Sequence, residues 1–158
     1  MDLRFFGLIV LGFCLLGISA FASPLTEGDA VPAFSAKDQN GKGFVFTNGV
    51  RFLLVARERA SGTSASHKLA ERGAGFLEKH QAVFVMDIHT MPSVARLFAL
   101  PKMRKYPQRI VLVETAGALE WVPRQPGLVT VLALTPAGLV QKSSFWDPES
   151  EPVTNYLQ

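Results

Sequence analysis

The chain has 158 residues, 16 of them Lys or Arg and 13 Asp or Glu, for a formal net charge of +3. That size is one ordinary domain with a real hydrophobic core and leaves no room for a second. So mild a charge excess says little about partners, and nucleic acid is not among those expected. The single cysteine, Cys14, lies in the leader-like start of the chain, so thiol chemistry is excluded from everything that follows it.

Residues 1–22 read as a secretory leader. Arg4 supplies a positive start, Phe5 to Leu16 an apolar run, and Ala20-Phe21-Ala22 the small-x-small pattern of a cleavage site. Phe13 stands where a lipidation motif wants a small residue before Cys14, which argues against a lipid anchor. Cleavage after Ala22 leaves 136 of the 158 residues, beginning at Ser23. The expected product is a periplasmic protein with no stable membrane insertion once the leader is removed.

The elements of the remaining chain follow in order. Gly28 to Phe46 carries short apolar pieces around Asp38-Gln39-Asn40-Gly41-Lys42 and predicts an N-terminal hairpin. Phe52 to Ala56 is a continuous apolar run, as in a strand covered on both faces. A helix is predicted next, capped by Ser64 or Ser66, with Leu69, Gly73, Phe76 and Leu77 at helical spacing and its end at Lys79-His80. Ala82 to Ile88 reads as a second buried strand. Ser93 is expected to cap a short helix that ends before Pro101. Ile110 to Val113 is a third strand and Ala116 to Val122 a link. Leu128 to Leu134 and Leu139 to Phe145 form a closing antiparallel pair around Thr135-Pro136-Ala137-Gly138. Strands alternating with helices imply an α/β fold with a mixed sheet between outer layers of helix.

With "GDAVPAFSAKDQNGK" at its start and "VTVLALTPAGLVQKSSF" near its end, this order resembles the thioredoxin-like fold in its redoxin or peroxiredoxin-like variety. The likeness is greater still to exported bacterial proteins of the YtfJ type, on the turn Ala60-Ser61-Gly62-Thr63-Ser64-Ala65 after the central strand. The resemblance implies a three-layer sandwich, helices on both faces of a mixed sheet, and a C-terminal antiparallel hairpin. It also places the family's reactive turn on Ser61 to Ser66. Laid over the thioredoxin motif, Ser61 and Ser64 take both cysteine positions. Laid over the peroxiredoxin Thr-x-x-Cys, Thr63 is kept and Ser66 replaces the peroxidatic cysteine. A Ser hydroxyl cannot reduce a disulfide or a peroxide as a low-pKa thiolate does. The family's cis-proline position falls by strand order on Val129, with Pro107 and Pro126 as flanking alternatives.

What persists is the start of a helix, whose unpaired N–H groups Thr63, Ser64 or Ser66 can cap, or where an anion can sit. Ser61, Thr63, Ser64, Ser66 and Tyr106 are therefore the candidate binding residues, and none is assigned catalysis. Three other readings carry less. Gly62 to Ser66 is one residue away from a Gly-x-Ser-x-Gly elbow, but no histidine follows His89 to serve a Ser64 hydrolase. Asp87 and His89, with His67 and His80, lack metal-ligand spacing, so no metal or other cofactor is expected. Lys102 to Arg109 is a basic stretch read as a solvated loop, and Trp121 and Trp146 are read as packing residues. The function expected is binding of a periplasmic protein or small ligand without catalysis. The alternative is an enzyme of redoxin descent that borrows a partner's thiol or a cofactor.

Overall fold

Phe52–Ala56, all five residues buried, is the axis about which the rest is arranged. The computed structural model describes residues 23–158; the expected leader lies outside the described residues. In chain order the strands are β1 (Ser35–Asp38), β2 (Gly43–Val45), β3 (Phe52–Ala56), β4 (Ala82–Asp87), β5 (Val111–Val113), β6 (Val129–Leu134) and β7 (Val140–Trp146). The helices are α1 (Arg59–Ala70), α2 (Phe76–Lys79) and α3 (Ser93–Met103), with a 3₁₀ turn at Val153–Asn155. They form one seven-stranded sheet in the order β2-β1-β5-β4-β3-β6-β7.

β3, β4 and β5 are parallel neighbours, and every other pairing is antiparallel. The crossovers β3–α1–β4 and β4–α3–β5 both step the same way across the sheet. Right-handed connection then puts α1 and α3 side by side on one face. Side-chain alternation agrees. Phe52, Leu54 and Ala56 join Ala65 and Leu69 of α1, Leu77 of α2 and Met103 of α3 in one core. Leu53 and Val55 point the other way, against Val31, Phe46, Leu119 and Trp121, so the second outer layer is the N-terminal segment and the link before β6. Burying a side chain such as Leu54 contributes about 1.5–3 kcal/mol. The mixed sheet and its closing β6–β7 hairpin are the α/β architecture expected, but α1, α2 and α3 all pack on one face, where helices were expected on both.

The N-terminal hairpin forms where the sequence places it. Asp38 Oδ1 accepts the backbone N–H groups of Asn40 and Lys42, both at 2.9 Å, which closes the turn between β1 and β2.

Three local expectations are corrected. α1 begins at Arg59, with only two residues between it and β3 and Glu58 as its N-cap, so Thr63, Ser64 and Ser66 lie inside the helix and do not cap it. The helix also does not run unbroken to His80. It stops at Ala70, Gly73 takes a left-handed φ of +91°, and α2 restarts at Phe76. Ser93 is the first residue of α3, not its cap, and Pro101 sits within the last turn of that helix, not beyond it. Arg96 supports the start of α3 by donating to the carbonyl oxygens of Ile88, His89 and Met91. Among the described residues every peptide bond is trans, those before Pro107 and Pro126 included.

Candidate functional site

The helix start that the sequence singles out has no side-chain cap. Glu58, the N-cap residue, turns its carboxylate away from α1 to the guanidinium of Arg124 at 2.9 Å and the N–H of Gly127 at 3.1 Å. The side-chain hydrogen bond from Arg124, then the Gly127 N–H, holds the Glu58 carboxyl below its ordinary value. Ser61 is buried and donates to Glu58 O at 3.2 Å. Ser66 is buried and donates to Gly62 O at 2.8 Å, with Met86 Sδ 3.7 Å away. Ser64 lies on another side of α1 and donates to Glu149 Oε1 at 3.1 Å. Ser61 and Ser66 thus donate to backbone carbonyls, and only Ser64 meets a carboxylate, that of the exposed Glu149.

Beside this turn a groove of about 690 Å³ opens between α1 and α3. It brings together Thr63, Ser66 and Tyr106 of the five candidate residues, and leaves Ser61 and Ser64 outside its lining. α1 contributes Arg59, Thr63, Ser66 and His67, spaced i, i+4, i+7 and i+8 on one helical face. α3 answers with Ala95, Phe98, Ala99, Lys102 and Met103, at i, i+3, i+4, i+7 and i+8. The small side chains of Ala95 and Ala99 leave the space between the two faces unfilled. Met86 of β4 forms the floor and Met91, just before α3, extends it.

Gly62 allows α1 to lie close above that floor. A Cβ at this position would come within 2.6 Å of Met86 Cε and 3.4 Å of Ala56 Cβ. Tyr106 and His67 close one end: the phenol oxygen is 3.1 Å from His67 Nε2, and the rings meet edge to face at 5.3 Å. Burial pushes the Tyr106 phenol above its ordinary pKa, so it stays protonated and able to donate. Behind it Gln108, fully buried, donates to Ser66 O at 2.8 Å and ties the segment after α3 to α1.

The electrostatics of the groove are one-sided. Arg59, Lys102 and Lys105 line it and no Asp or Glu does. None of the three cations makes a salt bridge among the described residues. The floor and most of the α3 wall are apolar, the α1 wall is polar, and Phe98 is 69% exposed. The sequence reading missed Arg59, the methionines and the α3 face. Their signal was the recurrence of 95, 98, 99, 102 and 103 at helical spacing, hidden by the expectation that α3 would stop before Pro101.

The other polar candidates lie elsewhere. Asp87 Oδ1 is 2.6 Å from His89 Nδ1, and Arg57 Nε is 3.8 Å from Asp87 Oδ2, which makes an ion-paired knot at the ends of β3 and β4. His80 Nδ1 is bound to Phe76 O at 2.8 Å. Among the described residues no three His, Cys, Asp or Glu side chains are grouped to hold a metal ion. Among the same residues no helix is long and apolar enough to cross a membrane.

No protein-family model and no curated protein matches the sequence. Solved structures do match in fold. The thioredoxin domain of a thiol-disulfide oxidoreductase from Bacteroides vulgatus aligns at a TM-score of 0.55 and 14% identity, covering 85% of this chain and 99% of that one. A peroxidoxin from Mycobacterium tuberculosis aligns at 0.56 and 13%, covering 84% and 94%. A peroxiredoxin-like protein from Aquifex aeolicus gives 0.56 and 13%, covering 87% and 88%. At these identities the likeness is one of architecture, and it gives residues 23–158 the thioredoxin-like fold.

Proposed function

We propose that this chain is an exported, non-catalytic thioredoxin-like domain of the periplasm that acts by binding through the groove between α1 and α3. One observation carries the reading. Where the resemblance puts the family's thiolates, Ser61 and Ser66 spend their hydroxyls on the backbone of α1 and Ser64 on Glu149, while an open apolar groove lies alongside. Chemistry at the old position has no nucleophile, whereas binding beside it has a surface. Export is supported by Arg4, the apolar run from Phe5 and the Ala20-Phe21-Ala22 site.

The test is a pair of assays on the chain purified from Ser23 onward: insulin reduction and peroxide consumption, each with and without added dithiothreitol or glutathione. Rates at background in all arms are expected. Sustained turnover that depends on an added thiol would overturn the binding role in favour of an enzyme of redoxin descent using a borrowed thiol. Intact mass of the periplasmic fraction should place Ser23 first.

A further inference from the structure

The groove is amphipathic in a way that specifies its occupant. Both helices follow parallel strands and so run in the same direction. Arg59, the first residue of α1, is therefore at one end, while Lys102 and Lys105, at and just past the end of α3, are at the other with His67 and Tyr106. From Arg59 to His67 is eight residues, about 12 Å at the helical rise of 1.5 Å per residue, the extent of a medium-length alkyl chain. Along that length the floor is thioether and small apolar side chain, a surface that adapts to flexible apolar ligands.

We propose that the groove binds a free, single-chain amphiphile with an anionic head of the fatty-acid carboxylate class. The head lies between Lys102 and Lys105, and the chain runs over Met103, Met86 and Met91. The assignment rests on the binding-domain reading above. Charge complementarity selects the head, because the lining holds three cations without salt bridges and no acid. An acidic peptide fits less well. Helix faces supply most of the lining, and their backbone groups are spent within the helices, so an extended peptide finds no strand edge to pair with. A bilayer surface fits less well again, since the cavity is concave and of ordinary small-ligand volume.

The experiment is calorimetric titration of the chain from Ser23 onward with decanoate below its aggregation concentration. Butyrate, decyltrimethylammonium and phosphatidylglycerol vesicles serve as parallel arms. Decanoate should saturate one site and bind at least tenfold tighter than butyrate or decyltrimethylammonium. The double variant Lys102→Glu/Lys105→Glu should lose at least tenfold, and Ala99→Trp, which fills the groove, should abolish binding while the unfolding midpoint of each variant stays near wild type. Absence of saturable decanoate binding overturns the proposal. So does vesicle binding that survives Ala99→Trp, which would make the site a membrane surface. If decyltrimethylammonium binds as tightly as decanoate and Ala99→Trp abolishes both, the anionic assignment falls but the binding role stands. Thiol-dependent turnover in the same preparation would sink the binding role itself.

Discussion

The basic stretch Lys102 to Arg109 serves two ends of the molecule in opposite ways. At the hairpin end Arg104 donates to Gln39 O at 3.0 Å, and Arg109 pairs with Asp38 Oδ2 at 3.0 Å and donates to Gly43 O at 2.8 Å. There Gln39, itself buried, also receives the N–H of Ile110 and donates to Gln108 O, so the turn is stitched to the start of β5. At the groove end Lys102 and Lys105 make no salt bridge among the described residues and line a groove with an apolar floor. Cations whose donors are spent on the backbone and on Asp38 tie the chain together; those left without such bonds beside an apolar surface are available to a ligand. The same eight residues thus hold a structural node and part of a candidate site.

The sharpest way to break that distinction is at Asp38. Its carboxylate is buried and accepts two backbone N–H groups as well as Arg109, so Asp38→Ala orphans three donors at once. A loss of about 2–4 kcal/mol in unfolding free energy is expected, with decanoate binding unchanged in the fraction that remains folded. The pH dependence has a definite sign. Burial raises the Asp38 pKa, but the Lys42 and Asn40 N–H groups and Arg109 outweigh it, and the carboxyl sits below its ordinary value. A depressed folded pKa means its contribution is complete above the unfolded value, near about 4, and is lost as pH falls through the folded value. Denaturant midpoints across that range should show wild type losing its advantage over Asp38→Asn. A constant gap down to strong acid would show that the node does not depend on charge.

The hairpin end was legible in the sequence and the groove end was not, for a physical reason. A turn such as Asp38 to Lys42 is specified by neighbours a few residues apart, and so is a buried strand such as Phe52 to Ala56. The groove depends on how two distant helices lie on one sheet face, and on where each begins. Three hydroxyl residues after β3 resemble a cap, but a cap needs non-helical backbone, and the chain turns helical at Arg59 before it reaches them. Of the residues that the fold resemblance marks, Thr63, Ser66 and Tyr106 line the groove. Ser61 and Ser64, marked because they take both cysteine positions of the thioredoxin motif, lie outside that lining.

A smaller effect, confined to the groove, is expected from Gly62→Ala. Alanine favours helix over glycine by about 0.5–1 kcal/mol. The new Cβ meets the far end of Met86, a flexible side chain that can swing away. The two effects oppose, so the unfolding free energy should move by no more than about 1 kcal/mol. Met86 cannot swing without changing the floor, however, so decanoate affinity should fall several-fold. The Asp38 node, far along the chain, should keep its pH profile. Unchanged affinity by calorimetry would remove Met86 from the binding surface.

The smallest effect is expected at Ser64, and it bears on where α1 begins. Were Ser64 the N-cap, replacing it with alanine would cost about 0.5–2 kcal/mol. In the structure it is a mid-helix residue whose hydroxyl meets Glu149, an exposed side chain, at 3.1 Å. Losing that contact costs little where water replaces it, and alanine is the better helix former by a few tenths of a kcal/mol. The two nearly cancel, and the unfolding midpoint of Ser64→Ala should lie within about 0.5 kcal/mol of wild type. Decanoate affinity should also hold, because Ser64 points away from the lining formed by Thr63, Ser66 and His67. A destabilisation of a full cap would mean that the helix starts at Ala65, six residues later than Arg59. Arg59 would then leave the helical face it shares with Thr63, and the groove would lose one wall.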